Sequence, residues 1–178
     1  MPEMGDVINR LTEHEKISIF DALKELFKKE ERIISICAYG SRVAGFARAD
    51  SDYDILMVLE DYRQKVKYKY LKKDVELSIL IVDKGSLVKD AEEASLGEFV
   101  CGRLLNIFEI LEGTEFIKDV ETRFKKRVIL EILDEIISNF GILSTDFIIP
   151  IEYCVYFNFI DSSTFNIYVV SHFPQTYV

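Results

Sequence analysis

Tryptophan is absent from this 178-residue chain, and cysteine, proline and histidine are scarce, at three, three and two residues. Cys37, Cys101 and Cys154 lie far apart in apolar stretches. An odd number without paired spacing excludes a disulfide framework and a thiolate zinc site, so buried reduced thiols are expected. His14 and His172 have no partner at metal or triad spacing, which removes histidine-centred chemistry and leaves both as structural residues. Positive charge is also short: 22 Lys and Arg stand against 31 Asp and Glu, giving a net charge of -9 and a pI near 4.8. Broad, sequence-blind binding of nucleic acid draws its affinity from neutralising phosphates, and a chain this acidic is poorly suited to it. Any phosphate is expected to be held locally, by backbone, metal and a few cations. Long oily runs are missing too. The longest, Phe147 to Ile160, has 14 residues and contains Pro150, Glu152 and Asn158. A bilayer span needs ~20 apolar residues. The N-terminal MPEMGDVINRLTEHEK lacks an apolar signal core, so a cytoplasmic location is expected.

What is present is a core-forming composition, 49% apolar, without internal repeats or low-complexity tracts. Residues 8–28 have the spacing of an amphipathic helix, with Ile17, Phe20, Leu23, Leu26 and Phe27 as its stripe and Thr12 with Glu15 as a capping box. Arg32–Tyr39, Asp52–Leu59 and Asp74–Val82 are short apolar runs suited to buried strands. Between the last two lies a charged connector, EDYRQKVKYKYLKK. Its Arg63–Lys73 portion fits a solvated connector or edge-strand face, or else a cationic wall beside phosphates or a small patch for an RNA acceptor. Polar residues 83–97 mark a boundary or hinge. Helical patterns follow at about 96–112 and 115–140, the latter with Phe116, Val120, Phe124, Val128, Leu130, Leu133, Ile137 and Phe140 on one stripe and Gly141 as its stop. Within it, Arg123–Val128 reads as an exposed face. Ile151–Ile160 is a short helix candidate, and Phe165, Ile167 and Val169 alternate as in a strand. The fold class is α+β, a small mixed sheet covered by helices over residues 1–90. A mainly helical region with a terminal strand follows over 91–178.

Chemistry concentrates in Ala38–Leu59, AYGSRVAGFARADSDYDILMVL. A Gly40–Ser41 turn follows a buried strand, and Asp52 comes eleven residues after Ser41, with Asp54 two further on. Residues i and i+2 of a strand share a face, so Asp52 and Asp54 project together and Tyr53 points away. Two like charges on one face repel unless a cation lies between them or one carboxyl is protonated. Oxygen donors of this kind suit Mg2+. In DVELSILIV, Val75, Leu77, Ile79 and Ile81 take one face, with Asp74, Glu76 and Ser78 on the other. Glu76, flanked by strand residues, is the preferred third carboxylate over Asp74. Three carboxylates would hold two metals ~4 Å apart, as phosphoryl displacement uses them. Gly40 lets backbone approach an anion closely, Ser41 adds a hydroxyl, and Arg42 adds a fixed positive charge. Taken singly, a Gly-Ser turn or an Asp-x-Asp pair is commonplace; their ordered combination is far more specific.

GSRVAGFARADSDYDILMV resembles the signature of the minimal nucleotidyltransferases within the DNA polymerase beta-like superfamily. Gly40, Ser41, Arg42, Gly45, Arg48, Ser51, Asp52 and Asp54 stand in the places of that pattern. The resemblance implies a nucleotidyltransferase fold in which Asp52, Asp54 and Glu76 bind metal and carry catalysis. It also implies that Gly40 and Ser41 bind the nucleotide phosphates, with Arg42 beside them. The expected cofactor is Mg2+, two ions, with Mn2+ able to substitute, and a nucleoside triphosphate is the substrate. The signature covers about twenty residues, the wider α/β pattern reaches about residue 90, and residues 97–150 resemble the helical region of archaeal-type chains with this domain.

The leading expectation is transfer of a nucleoside monophosphate, AMP from ATP, to an unidentified acceptor hydroxyl, with pyrophosphate released. An alternative is an antitoxin-type interaction protein that binds, and in some cases nucleotidylates, a helical toxin partner. A third is a nucleotide-binding regulator without turnover, which retention of all three carboxylates disfavours. The apolar end of the chain leads to the expectation of a homodimer covering it. No membrane partner is expected.

Overall fold

The structure, a computed structural model, describes residues 11–26, 32–105 and 107–149. The chain divides into two compact units, residues 1–124 and 125–178. The first carries the sheet. Its elements are helix α1 (Glu13–Leu26), strand β1 (Ile33–Tyr39), the single-turn helix α2 (Ser41–Ala44), strands β2 (Tyr53–Leu59), β3 (Val66–Lys72) and β4 (Glu76–Asp83), and helix α3 (Lys84–Glu93). A 3-10 turn (Cys101–Leu105), strand β5 (Glu109–Glu112) and the start of helix α4 (Thr114–Phe140) complete it.

The five strands form one mixed sheet in the order β3-β4-β2-β1-β5. The central pair, β2 and β4, is parallel, with Tyr53 opposite Leu77 and Asp54 opposite Ser78. The β1–β2, β1–β5 and β3–β4 pairs are antiparallel. Both faces of the centre are dry, which explains why β2 and β4 are continuous apolar runs rather than alternating ones. On one face Tyr53, Ile55, Met57, Leu77, Ile79 and Ile81 join Ile36 and Ala38 against Leu11, Ile19, Ala22 and Leu23. On the other, Leu56, Val58, Leu80 and Val82 are buried, as are Leu87 and Ala91 of α3, Val100 to Cys101, and Leu104.

Helix α1 begins at the expected capping box. The Thr12 N–H and hydroxyl both donate to Glu15 Oε2, at 2.8 and 2.7 Å, and the Glu15 N–H donates back to Thr12 Oγ1 at 3.3 Å. Its buried stripe is not the expected one, since Ile17 is 60% exposed while Ile19 and Ala22 are buried. Phe27 lies outside the described residues. The connector after β2 is a strand for half its length, β3, because Val66, Tyr68 and Tyr70 gain β4 as an antiparallel neighbour. The expected hinge at 83–97 is largely helix α3, which Asp83 caps by accepting from the Ser86 N–H at 3.0 Å. The expected helix at 96–112 is instead a 3-10 turn and the edge strand β5, held by pairing with β1.

Helix α4 ends where Gly141, at φ +56, turns into a second 3-10 stretch (Gly141–Asp146). Its expected stripe drifts: Val120, Phe124, Val128 and Ile132 are buried, whereas Leu130, Leu133, Ile137 and Phe140 are exposed. Cys37 and Cys101 are buried and in no disulfide, as expected. The helix and strand candidates at 151–160 and 165–169, along with Cys154 and His172, lie outside the described residues. Among the described residues no helix is long and apolar enough to cross a membrane.

Candidate active site

The site lies where β1 ends and β2 and β4 begin. Asp52 and Asp54 flank Tyr53, whose ring is buried on the α1 face. Both carboxylates therefore rise from the opposite face, where Asp54 stands beside Tyr39 of β1 and Ser78 of β4. The Ser78 hydroxyl donates to Asp52 Oδ2 at 2.5 Å, fixing that side chain over the gap between the strands. Burial, and then the neighbouring Asp52 charge, push the Asp54 carboxyl above its usual range, with Arg103 opposing. A pair of carboxylates crowded in this way is a demand for positive charge.

Gly40 adopts φ +79 and ψ -161, a conformation essentially reserved for glycine. The position has a second requirement, since a Cβ there would overlap Asp54 Oδ2 and sit 3.0 Å from its Cγ. The first helical hydrogen bond of α2 runs from the Ala44 N–H to the Gly40 carbonyl at 2.9 Å. The N–H groups of Ser41, Arg42 and Val43 precede it and have no acceptor within the turn. They follow directly on Gly40, whose Cα lies against Asp54.

Arg42 faces elsewhere. Its Nε and Nη2 donate to the Ser51 carbonyl at 3.1 and 2.6 Å, Nη2 also to the Ala49 carbonyl at 3.2 Å, and its guanidinium lies 4.7 Å from the Tyr53 ring centroid. These bonds tie the 45–52 linker to the start of α2 and so set where Asp52 begins. Tyr53 is held in turn from α1, its hydroxyl donating to Glu15 Oε1 at 2.7 Å. Burial works against the Glu15 charge. The Tyr53 and Thr12 hydrogen bonds outweigh that and hold its carboxyl below the usual range.

Glu76 emerges one residue before Leu77, as Asp52 does before its partner Tyr53. Its carboxylate is engaged by its β3 neighbours: Lys72 forms an ion pair with it and the Tyr70 hydroxyl donates to it. Lys72 first and Tyr70 second keep the Glu76 carboxyl below its usual range. Among the described residues no three His, Cys, Asp or Glu side chains are grouped closely enough to hold a metal ion. The geometry thus brings Asp52 and Asp54 together and leaves Glu76 turned to Lys72. As a donor set, two crowded carboxylates with a hard-oxygen third available nearby suit a divalent cation. Asp74 is exposed.

The remaining walls come from residues that sequence reasoning passed over. Tyr39 and Tyr68 meet hydroxyl to hydroxyl at 3.4 Å above the sheet. Phe99 lies against Tyr68, ring centroids 6.1 Å apart. The Arg103 guanidinium sits 5.3 Å from the Tyr39 centroid and 5.2 Å from that of Phe99. The loop carrying Phe99 and Arg103 is fastened by Asp90, a fully buried carboxylate on α3. It accepts from the N–H groups of Leu96, Glu98 and Cys101 at 2.7, 3.3 and 3.0 Å. A lone cation inside the apolar run FVCGRLL was the available signal for Arg103. The Arg63–Lys73 run divides by strand alternation. Tyr68, Tyr70 and Lys72 share the site face, while Lys67 and Lys69 line a cleft of about 610 Å3 with Arg32 and Arg63 at the far end of the sheet.

Comparison with curated proteins finds no match. Residues 21–100 match the family model for polymerase beta, nucleotidyltransferase. That span holds Gly40, Ser41, Asp52, Asp54 and Glu76, and strands β1 to β4 of the sheet described above. Sheet, acidic pair and family match agree: residues 21–100 are similar to the nucleotidyltransferase domains of the DNA polymerase beta-like superfamily.

Proposed function

We propose that the protein transfers a nucleoside monophosphate, AMP from ATP, to an acceptor hydroxyl and releases pyrophosphate. The observation that carries this reading is the adjacency of Asp54, itself crowded by the Asp52 charge, to the Gly40 backbone, a turn suited to an anion against a charge pair that calls for cations. Asp52 and Asp54 are the residues to hold Mg2+, with Glu76 as the third ligand, and Mn2+ suits the same oxygen set. Bound there, a divalent ion supplies charge neutralisation for the triphosphate and the transferring phosphoryl group. The chain's own residues do the rest. The amides after Gly40 and the Ser41 hydroxyl donate to phosphate oxygens and orient the triphosphate. Ser78 keeps Asp52 in a single rotamer. Glu76, released from Lys72 and Tyr70, accepts the proton of the acceptor hydroxyl as it attacks. No covalent enzyme intermediate is required, since positioning and charge account for catalysis of this kind. Incubation with Mg2+ and labelled ATP, CTP, GTP or UTP tests the reading. Nucleotide binding and labelled product support it, and the absence of both with all four defeats it.

A second reading, a protein that binds a helical partner, draws support from one observation. Leu130, Leu133, Ile137 and Phe140 stand exposed along α4, and Ile142 in the following turn is 83% exposed. Exposed apolar side chains in a row are the usual mark of a protein interface. Light scattering decides between a homodimer and a monomer awaiting another protein.

A further inference from the structure

We propose that Arg103 is a phosphate-binding residue of this site and receives the pyrophosphate end of the nucleoside triphosphate, a deepening that rests on the nucleotidyltransferase reading. The domain has a row of backbone donors at Gly40 but needs a side-chain cation for a triphosphate carrying three to four negative charges. Arg42, the cation next to the cradle in sequence, has its guanidinium committed to the Ser51 and Ala49 carbonyls and to the Tyr53 ring. Arg103 is in the opposite condition. Among the described residues its guanidinium makes no hydrogen bond or ion pair, and its Nε is shut away from water without an acceptor. A buried donor left unpaired is costly, and native proteins keep few of them.

Two aromatic faces hold the guanidinium where it is. Tyr39 and Phe99 are each just over 5 Å away, within cation–π range. This contact fixes a cation without using the N–H groups of its two terminal nitrogens, which stay available for an oxyanion. The place is also right. Tyr39, on whose ring Arg103 rests, is the residue before Gly40 and lies opposite Asp54 across β1–β2. The charge of Arg103 reaches Asp54 strongly enough to oppose the rise in its carboxyl. Arg103 and Asp54 therefore both stand beside Tyr39, the residue that precedes the Gly40 turn. Asp90 is the positioning residue behind the arrangement, because its three backbone hydrogen bonds hold the loop that brings both Phe99 and Arg103 to the ring. Bidentate recognition of phosphate suits arginine more than lysine.

The test measures equilibrium binding of ATP, inorganic pyrophosphate and AMP, each with Mg2+, to the full-length wild type and to R103A, R103Q and R103K. Arg103→Ala and Arg103→Gln are expected to weaken ATP and pyrophosphate about tenfold to hundredfold, the range for a lost charge-assisted hydrogen bond, and to change AMP less than threefold. Arg103→Lys recovers part of the pyrophosphate affinity because it restores the charge. A shared thermal midpoint for R103Q and wild type shows that packing is intact. Equal pyrophosphate affinity in wild type, R103A and R103Q overturns the proposal, as does an equal loss for AMP and pyrophosphate. A wild type that binds none of the three ligands overturns the nucleotidyltransferase reading as well, so the two failures are told apart.

Discussion

The Asp54 carboxylate lies against the bare Cα of Gly40, in the very space a methyl group would need. Gly40 follows β1 and Asp54 stands on its antiparallel neighbour β2, and the two belong to one device, a backbone turn that an acidic side chain can approach because no Cβ intervenes. Replacement of Gly40 by Ala meets two penalties, a left-handed φ of +79 and the overlap with Asp54. Gly40→Ala should lower stability by about 1–3 kcal/mol and displace the Asp54 carboxylate. Thermal denaturation and ATP titration are the measurements; unchanged values in both would show that the turn and the acid are independent.

Asp54 is held at a cost that a neutral isostere would remove. Its carboxyl sits above the usual range through burial and the Asp52 charge, so near neutral pH its ionised form strains the folded state. Asp54→Asn should therefore raise the metal-free melting temperature by a few degrees while abolishing the stabilisation given by Mg2+ with ATP. A lower melting temperature without ligand would show that Asp54 is structural.

Glu76 is tethered by Lys72 and Tyr70. Glu76→Gln should leave ATP affinity within a few-fold and cut transfer by about 10²–10⁴, the range for a lost general base. Lys72→Ala frees the same carboxylate and should move the Mg2+ activation curve to lower concentration. A K72A curve that overlays the wild type would mean the ion pair does not compete with the metal.

Alkaline pH should destabilise the fold in a defined window. Burial pushes the Cys37 thiol from an ordinary 9.0 up to about 12, and burial with the Glu15 contact takes the Tyr53 phenol to about 12. Tyr39 is raised too, chiefly by burial. Between about pH 9 and 12 the unfolded chain has released these protons and the folded chain retains them. Stability is thus complete below pH 9 and falls above it, Cys37 alone contributing up to about 1.4 kcal/mol per pH unit. Denaturant midpoints at pH 8, 9.5 and 10.5 would follow this fall, and a thiol reagent at pH 8 should leave Cys37 unmodified until the chain unfolds.

The three apolar runs were legible as strands because a sheet covered on both sides writes itself as uninterrupted Ile, Leu and Val. The capping box of Thr12 with Glu15 was equally plain, being local. Asp52 and Asp54 could be placed on one face from alternation alone. Position across strands was harder. Nothing in Lys72 or Tyr70 announces that β3 will lie beside Glu76, since that depends on the antiparallel register of β3 with β4. Ile17 fits a helical stripe as well as Ile19 does, and only the angle at which α1 meets the sheet chooses between them. Strand β5 was hidden for a related reason: four residues, EILE, give too short a pattern to outweigh the helical spacing around them. Arg103 was missed because its worth lies in two rings 4 and 64 residues away.

The parallel pairing of β2 with β4 also sets when the site can exist. Those strands cannot zip directly, because β3 must leave and return along the outer edge before Ser78 reaches Asp52. Their contact spans 26 residues and closes late, as sequence-distant pairings do. A chain emerging from the ribosome would have its cradle and aspartates already translated yet no capacity to engage nucleotide until β4 docks. Acquisition of the ligand pocket and docking of β4 on β2 would then be a single kinetic event, visible as one phase in refolding followed by ATP binding and by protection of the β2 and β4 backbone alike.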